Sequence, residues 1–320
     1  MSYSTALRPN IERQNLEKVF QKIMEIALEN NDYFYLIYQQ NNKQTIMTES
    51  INTKSLLFFE YVDYQIKPTP GLVELDLTKE SDQLILKQSI KEFYLDIDPK
   101  TTLYAKARSI YGWIFSPLKI ELLTRQLGLI AIQPSKEGAQ LLRYFDPAVL
   151  PILLKILCSH QKKMLLNPVN QWLFLNSDGH LMIEKNTRKP SKHFVKRLGI
   201  DEQQWQQINW IESRNQTLAR YHLFNSQYVL SENEADIMIM QAFKLAESKG
   251  YSDKRDLSEF AYYSLTIHPE FIEHPIIDDV ITRNVNHSLI KQLKNISESQ
   301  WKIVANDFNK ELERNNDGLM

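Results

Sequence analysis

The chain has 320 residues, 43% of them hydrophobic and 11% aromatic, which is enough apolar material for large cores and, by length, for about two domains. Its 38 basic and 39 acidic residues leave a net charge of −1, which excludes a chain-wide field favouring nucleic acid or an anionic membrane. The single cysteine, Cys158, excludes an internal disulfide framework and a cysteine-rich zinc site, and it fits a reducing compartment.

Residues 10–30 place Ile11, Leu16, Val19, Phe20, Ile23 and Ala27 at helical spacing, and the first thirty residues lack the uninterrupted apolar core and small-residue cleavage site expected of a signal peptide. YFYLIY (33–38), KSLLFFEYV (54–62) and GLVELDL (71–77) read as strands, the last introduced by Pro68, Pro70 and Gly71. SDQLILKQSIKEF (81–93) returns to helical spacing. After the short strand YGWIF, Ser116-Pro117 reads as an N-cap and first-turn proline opening a helix through Leu127. GLIAIQPSKEGAQLLRYF then gives strand, turn and strand, reversing between Pro134 and Gly138. PVNQWLFLNSDGHLMIEK (168–185) reads as a hairpin around Ser177-Asp178-Gly179.

The polar, basic stretch KNTRKPSKHFVKR (185–197) marks the boundary, so that residues 1–190 form one domain and 191–320 a second. Beyond it the periodicity is helical in some five segments, with Ser231 and Glu234 forming a capping box and Gly250 at a helix-terminating position. The expected fold is an α/β N-terminal lobe, a mixed sheet flanked by helices, joined to an all-α C-terminal lobe.

The eight glycines are too sparse for a dinucleotide fingerprint, a phosphate-binding loop or a nucleophile elbow. Two acidic clusters remain as metal or acid-base candidates. HPEFIEH holds His268, Glu270, Glu273 and His274, but its histidines are six apart and flanked by Pro269 and Pro275, which suits a helix connection better than a zinc helix. LDID brings Asp96 and Asp98 together just before Pro99. A metal-dependent hydrolase or transferase built on these residues is the alternative function. Lys185, Arg188, Lys189, Lys192, Lys196 and Arg197, with His193 and Phe194, could contact phosphate and stack a base, although a solvated linker accounts for them more simply in a neutral chain. No nucleic-acid partner, membrane span or cofactor is expected. Trp205, Trp210, Tyr221, Phe224 and Tyr228 are too dense for an ordinary polar helix, and divide between core and protein interface.

Arg143-Tyr144-Phe145-Asp146-Pro147 sits between two apolar segments. Asp146 can cap the first amides of a helix, Pro147 suits a helix start, and Pro151 marks where the helix properly begins. If LLRYF is a strand, either Arg143 or Tyr144 points away from the core.

The order YGWIFSPLKIELLTRQLGLIAIQPSKEGAQLLRYFDPAVLPILLKIL, followed by LNPVNQWLFL, resembles the type VI secretion effector chaperones, also called adaptor proteins. The resemblance rests on the Glu137-Gly138 turn, on Arg143 to Pro147 with the apolar helix after it, and on the strand carrying Pro168, Val169 and Trp172. A weaker second match involves Gly250, Phe260, Phe271 and Pro275. The chain departs from the family in reading YLIYQQ where the first strand usually meets an aspartate, and Arg125-Gln126-Leu127 where a histidine-leucine-arginine is usual. The resemblance implies a non-enzymatic protein of the cytoplasm of a Gram-negative bacterium, which holds a toxic effector and loads it onto the VgrG spike. It further implies a common α/β scaffold and a helical lobe that recognises the effector. On that reading effector contacts are expected around Trp205, Trp210, Tyr221, Phe224 and Tyr228, with Arg143 and Tyr144 near the scaffold's functional edge.

Overall fold

A computed structural model describes residues 9–39, 57–58, 70–100, 108–186, 195–225, 230–283 and 288–317. The chain divides into two compact units, 1–208 and 209–320.

In the first unit, helix α1 (Pro9–Leu28) leads into β1 (Tyr33–Gln39), followed by β2 (Leu57–Phe58), β3 (Pro70–Leu75), α2 (Glu80–Asp96) and β4 (Ile110–Ser116). Then come α3 (Ile120–Ala131), a hairpin of β5 (Ile132–Ser135) and β6 (Gly138–Leu141), two short helices α4 (Leu150–Ile156) and α5 (Ser159–Leu165), and the hairpin β7 (Gln171–Leu175) and β8 (Leu181–Lys185). Among the described residues, six strands form one sheet in the order β2-β3-β1-β4-β7-β8, and β5-β6 stand apart. Every pairing is antiparallel, where a mixed sheet was expected. The central strands are covered on both faces, so β4 is buried along its whole length and loses the alternation by which a half-exposed antiparallel strand announces itself.

Trp113 fixes one face of the sheet to α2: its ring stacks on Phe93 at 5.5 Å and its indole N–H donates to Ser89 Oγ at 2.9 Å. Ile114 lies opposite Trp172, so Trp172 occupies the other face, where Tyr144 meets it edge-on at 5.7 Å. Gly112 lets β4 pass close to β7, because a Cβ there would lie 2.5 Å from the carbonyl oxygen of Leu173.

Several boundaries differ from those read in the sequence. Ser116 is the last residue of β4 rather than a helix cap: its hydroxyl donates to the carbonyl of Pro168 at 2.6 Å and accepts the N–H of Leu118. Helix α3 therefore starts at Ile120, and it runs on to Ala131 because Leu123, Leu127, Ile130 and Ala131 are all buried at helical spacing, where GLIA was expected to begin a strand. Of the strand expected over 54–62, only Leu57–Phe58 lies within the described residues.

Helix α6 (Glu202–Phe224) spans the division between the units, and the second unit continues with α7 (Glu232–Ser248), α8 (Lys254–Thr266), a short 3-10 turn (Phe271–Glu273), α9 (Pro275–Arg283), α10 (Leu289–Leu293) and α11 (Glu298–Asp317). The α/β region followed by a helical region is as expected from the sequence. The Ser231 hydroxyl and the Glu234 carboxylate cap α7 reciprocally, and Gly250 follows the helix end with a φ of 89°. Phe243, Phe260 and Phe271 centre the core. Arg214, only 2% exposed, is held by Asp236 at 3.0 Å and Glu232 at 2.9 Å, which satisfies a guanidinium that could not otherwise be buried.

Candidate functional site

The stretch from Leu142 to Val149 is a turn, not a strand, and β6 has already ended at Leu141. Main-chain bonds from Asp146 N to Arg143 O, and from Val149 N and Leu150 N to Asp146 O, wind it into the start of α4. The Asp146 carboxylate accepts the N–H of Ala148 at 2.9 Å, so it closes a turn ahead of the helix. Pro147 is buried beside it, and Pro151 takes the first turn of the helix, where its missing N–H costs nothing.

The same carboxylate gathers two arginines. Arg143 donates to Oδ2 at 3.0 Å with about half of its own side chain in solvent, and the Nε of the partly buried Arg108 lies 3.7 Å from Oδ1. Tyr144 turns inward: it is fully buried, its hydroxyl donates to the Leu127 carbonyl at 2.9 Å, and its ring contacts Phe145 and Trp172 edge-on. Phe145 meets Tyr111, whose hydroxyl donates to Gln39 Oε1 at 2.5 Å and is raised well above the usual phenol range by burial. Arg143 is thus the one polar side chain that this element presents to solvent, above an aromatic and ionic foundation.

Asp96 belongs to the same neighbourhood. One of its carboxylate oxygens accepts the main-chain N–H of Ser109 at 2.6 Å and of Ile110 at 2.9 Å. Burial pushes its carboxyl up to about 6; these two amides and Arg108 oppose the rise, and Glu92 adds to it. Neither Arg108 nor this use of Asp96 was legible in the sequence. Their only signal is an arginine placed immediately before an apolar strand.

The remaining motif residues are structural. Gly138 turns the β5-β6 hairpin with a φ of 110°, and the Pro168 carbonyl receives the Ser116 hydroxyl.

The aromatic series divides. Trp210 is buried, edge-on to Phe243, and donates to Glu247 at 3.0 Å; Tyr221 is buried as well. The expectation that Tyr144, Trp210 and Tyr221 offer a binding face is therefore corrected, since side chains sealed in a core have no surface to present. Trp205 is half-buried, and its indole N–H donates to the Pro134 carbonyl at 3.2 Å, pinning the β5-β6 hairpin. Phe224 is 64% exposed, and Tyr228 lies outside the described residues.

The residues weighed as metal ligands have other engagements. His268 stacks on Phe308 at 4.1 Å, the His274 Nε2 lies 3.5 Å from Asp307, Glu273 pairs with Lys249, Glu270 is exposed, and the Asp98 carboxylate accepts the N–H of Lys100. Among the described residues, no three His, Cys, Asp or Glu side chains are grouped to hold an ion. Lys185, Lys196 and Arg197 are exposed, while Arg188, Lys189, Lys192, His193 and Phe194 lie outside the described residues. No helix among the described residues is long and apolar enough to cross a membrane.

Comparison with protein-family models, with curated proteins and with solved structures finds no match to this chain.

Proposed function

We propose that this chain is a type VI secretion effector adaptor, which holds a toxic effector in the bacterial cytoplasm and hands it to the VgrG spike without catalysing a reaction. The observation that carries the proposal is the Arg143–Pro147 element. Residues Arg143 to Pro147, the part of the resemblance around the α4 start, form one built unit, in which Asp146 closes a turn, two arginines converge on it, Tyr144 and Phe145 root it in the core, and Arg143 is left at the surface. A rigid foundation under one solvated guanidinium is the arrangement of a docking point, because the arginine loses little freedom when a partner carboxylate or carbonyl replaces water.

In the helical unit, Phe224 is, among the described members of the aromatic series, the one with most of its surface in water, and we assign it to effector contact. Reversible hand-over calls for a moderate apolar patch with a polar rim rather than an obligate interface. Arg143→Ala and Phe224→Ala test the assignment in affinity capture of the effector and the spike. Each is expected to cut recovery of a partner by about tenfold while shifting the melting temperature by no more than about 4 °C. Wild-type recovery with both variants would remove these side chains from the interface.

A further inference from the structure

Strand β8 (Leu181–Lys185) is the last strand of the six-stranded sheet, and no described residue pairs with its outer side. The Asn176 N–H donates to the His180 carbonyl and the Asn186 N–H to the Asn170 carbonyl, which fixes the phase of the β7-β8 ladder. Alternation along that ladder gives Met182 and Glu184 to β7 and turns the N–H and C=O groups of Leu181, Ile183 and Lys185 outward. Both ends of the strand are tied down. The Tyr94 hydroxyl donates to the Gly179 carbonyl at 3.0 Å, and the Asn186 side-chain amide donates to the Leu166 carbonyl at 3.1 Å. An open edge of this kind is a template for pairing, which proteins blunt with charge, proline or a covering segment. Here Glu184 and Lys185 crowd one end, and Leu181, Met182 and Ile183 are half-buried and apolar.

We propose that the outer edge of β8 is a strand-addition site for an extended, acidic segment of a partner protein. Its outward N–H and C=O groups alternate as the main chain of another strand requires, and Leu181, Met182 and Ile183 offer apolar surface to that strand's side chains. The charge around the edge selects the occupant. Lys185 is exposed, and Lys162 and Lys163 occupy the last turn of α5, whose end the Asn186 side chain reaches. Burial raises the Glu184 carboxyl, and Lys162 opposes the rise. From Lys155 to Arg197 the sequence carries nine lysines and arginines against two acids, although the whole chain has a net charge of −1. Two copies joined edge to edge would set one basic margin against another, and a nucleic acid has no main-chain amides to meet the carbonyls. A partner strand bearing carboxylates satisfies both the main chain and the lysines. The inference rests on the edge geometry and stands apart from the adaptor reading.

The test titrates the full-length chain against a labelled synthetic peptide of alternating valine and glutamate, read by fluorescence anisotropy at low ionic strength. Saturable binding is expected, weaker by about tenfold or more when the peptide carries lysine in place of glutamate. Ile183→Pro removes only an outward N–H, as an edge strand tolerates, and Lys185→Glu reverses a charge without touching the ladder; each is expected to weaken binding by about tenfold. On the wild type, the peptide is expected to slow amide exchange at Leu181, Ile183 and Lys185 by about tenfold, read residue by residue by nuclear magnetic resonance, while Met182 and Glu184 change little. This readout decides the matter should Ile183→Pro not fold. No binding of the glutamate peptide, equal binding of the lysine peptide, or protection confined to other segments would overturn the proposal. So would preferential binding of single-stranded DNA at the edge, or a wild-type dimer that Ile183→Pro separates, because either gives the edge another occupant.

Discussion

Replacing Gly112 with alanine should be among the most damaging single-methyl additions in the first unit. The residue sits inside β4 with a φ of 142°, facing the register shift at Ile37/Tyr38 of β1, and an added Cβ would meet Leu173 O at 2.5 Å, Trp172 Nε1 at 3.4 Å and Phe174 Cβ at 3.5 Å. The unfavourable backbone angle costs about 1–3 kcal/mol. The closest contact is with main chain in a paired strand, which cannot rotate away, so relieving it spreads two central strands and adds about 1–3 kcal/mol. The sum, about 2–6 kcal/mol, is a large part of the stability of an ordinary domain. Gly138→Ala separates the two contributions, because Gly138 has a φ of 110° but nothing within 4 Å of the added carbon, and its cost should stop at the backbone part. Urea denaturation followed by circular dichroism and tryptophan fluorescence reads both variants. A Gly112→Ala penalty no larger than that of Gly138→Ala would refute the close approach of β4 to β7.

Arg214→Ala should cost about 3–5 kcal/mol in chemical denaturation of the helical unit, since it strands Asp236 and Glu232 without their buried cation. Tyr144→Phe keeps the ring packing and deletes the bond to the Leu127 carbonyl, so a loss of about 1 kcal/mol with unchanged capture of partners is expected. Trp210→Ala should lower the melting temperature sharply while Phe224→Ala leaves it nearly unchanged, a contrast that a single thermal scan of each variant checks.

The two-lobed plan was legible because it depends on local periodicity. The capping box at Ser231, the αL glycine at Gly250, the 168–185 hairpin and the helix start near Pro151 all use residues close in sequence. What escaped depends on distant partners. Ser116 looks like a cap beside Pro117, until the Pro168 carbonyl takes its hydroxyl from 52 positions away. Asp96 in LDID looks like half of a metal pair, until the chain folds the amides of Ser109 and Ile110 onto it. Trp210, Tyr221 and Phe224 share one helix and one residue class, and only packing separates the buried pair from the exposed ring. The Arg143–Pro147 element was found by its helix-start residues, but the second arginine that supports it came from before β4.

The most direct test of the adaptor reading is affinity capture of the tagged, full-length chain from a lysate of its native cells, with the bound proteins quantified by mass spectrometry and the purified chain assayed for metal. The reading expects a secreted toxin in near-stoichiometric amount together with the VgrG spike, and both reduced when Arg143 or Phe224 is replaced by alanine. Recovery of neither protein, with stoichiometric metal bound to the chain, would contradict it.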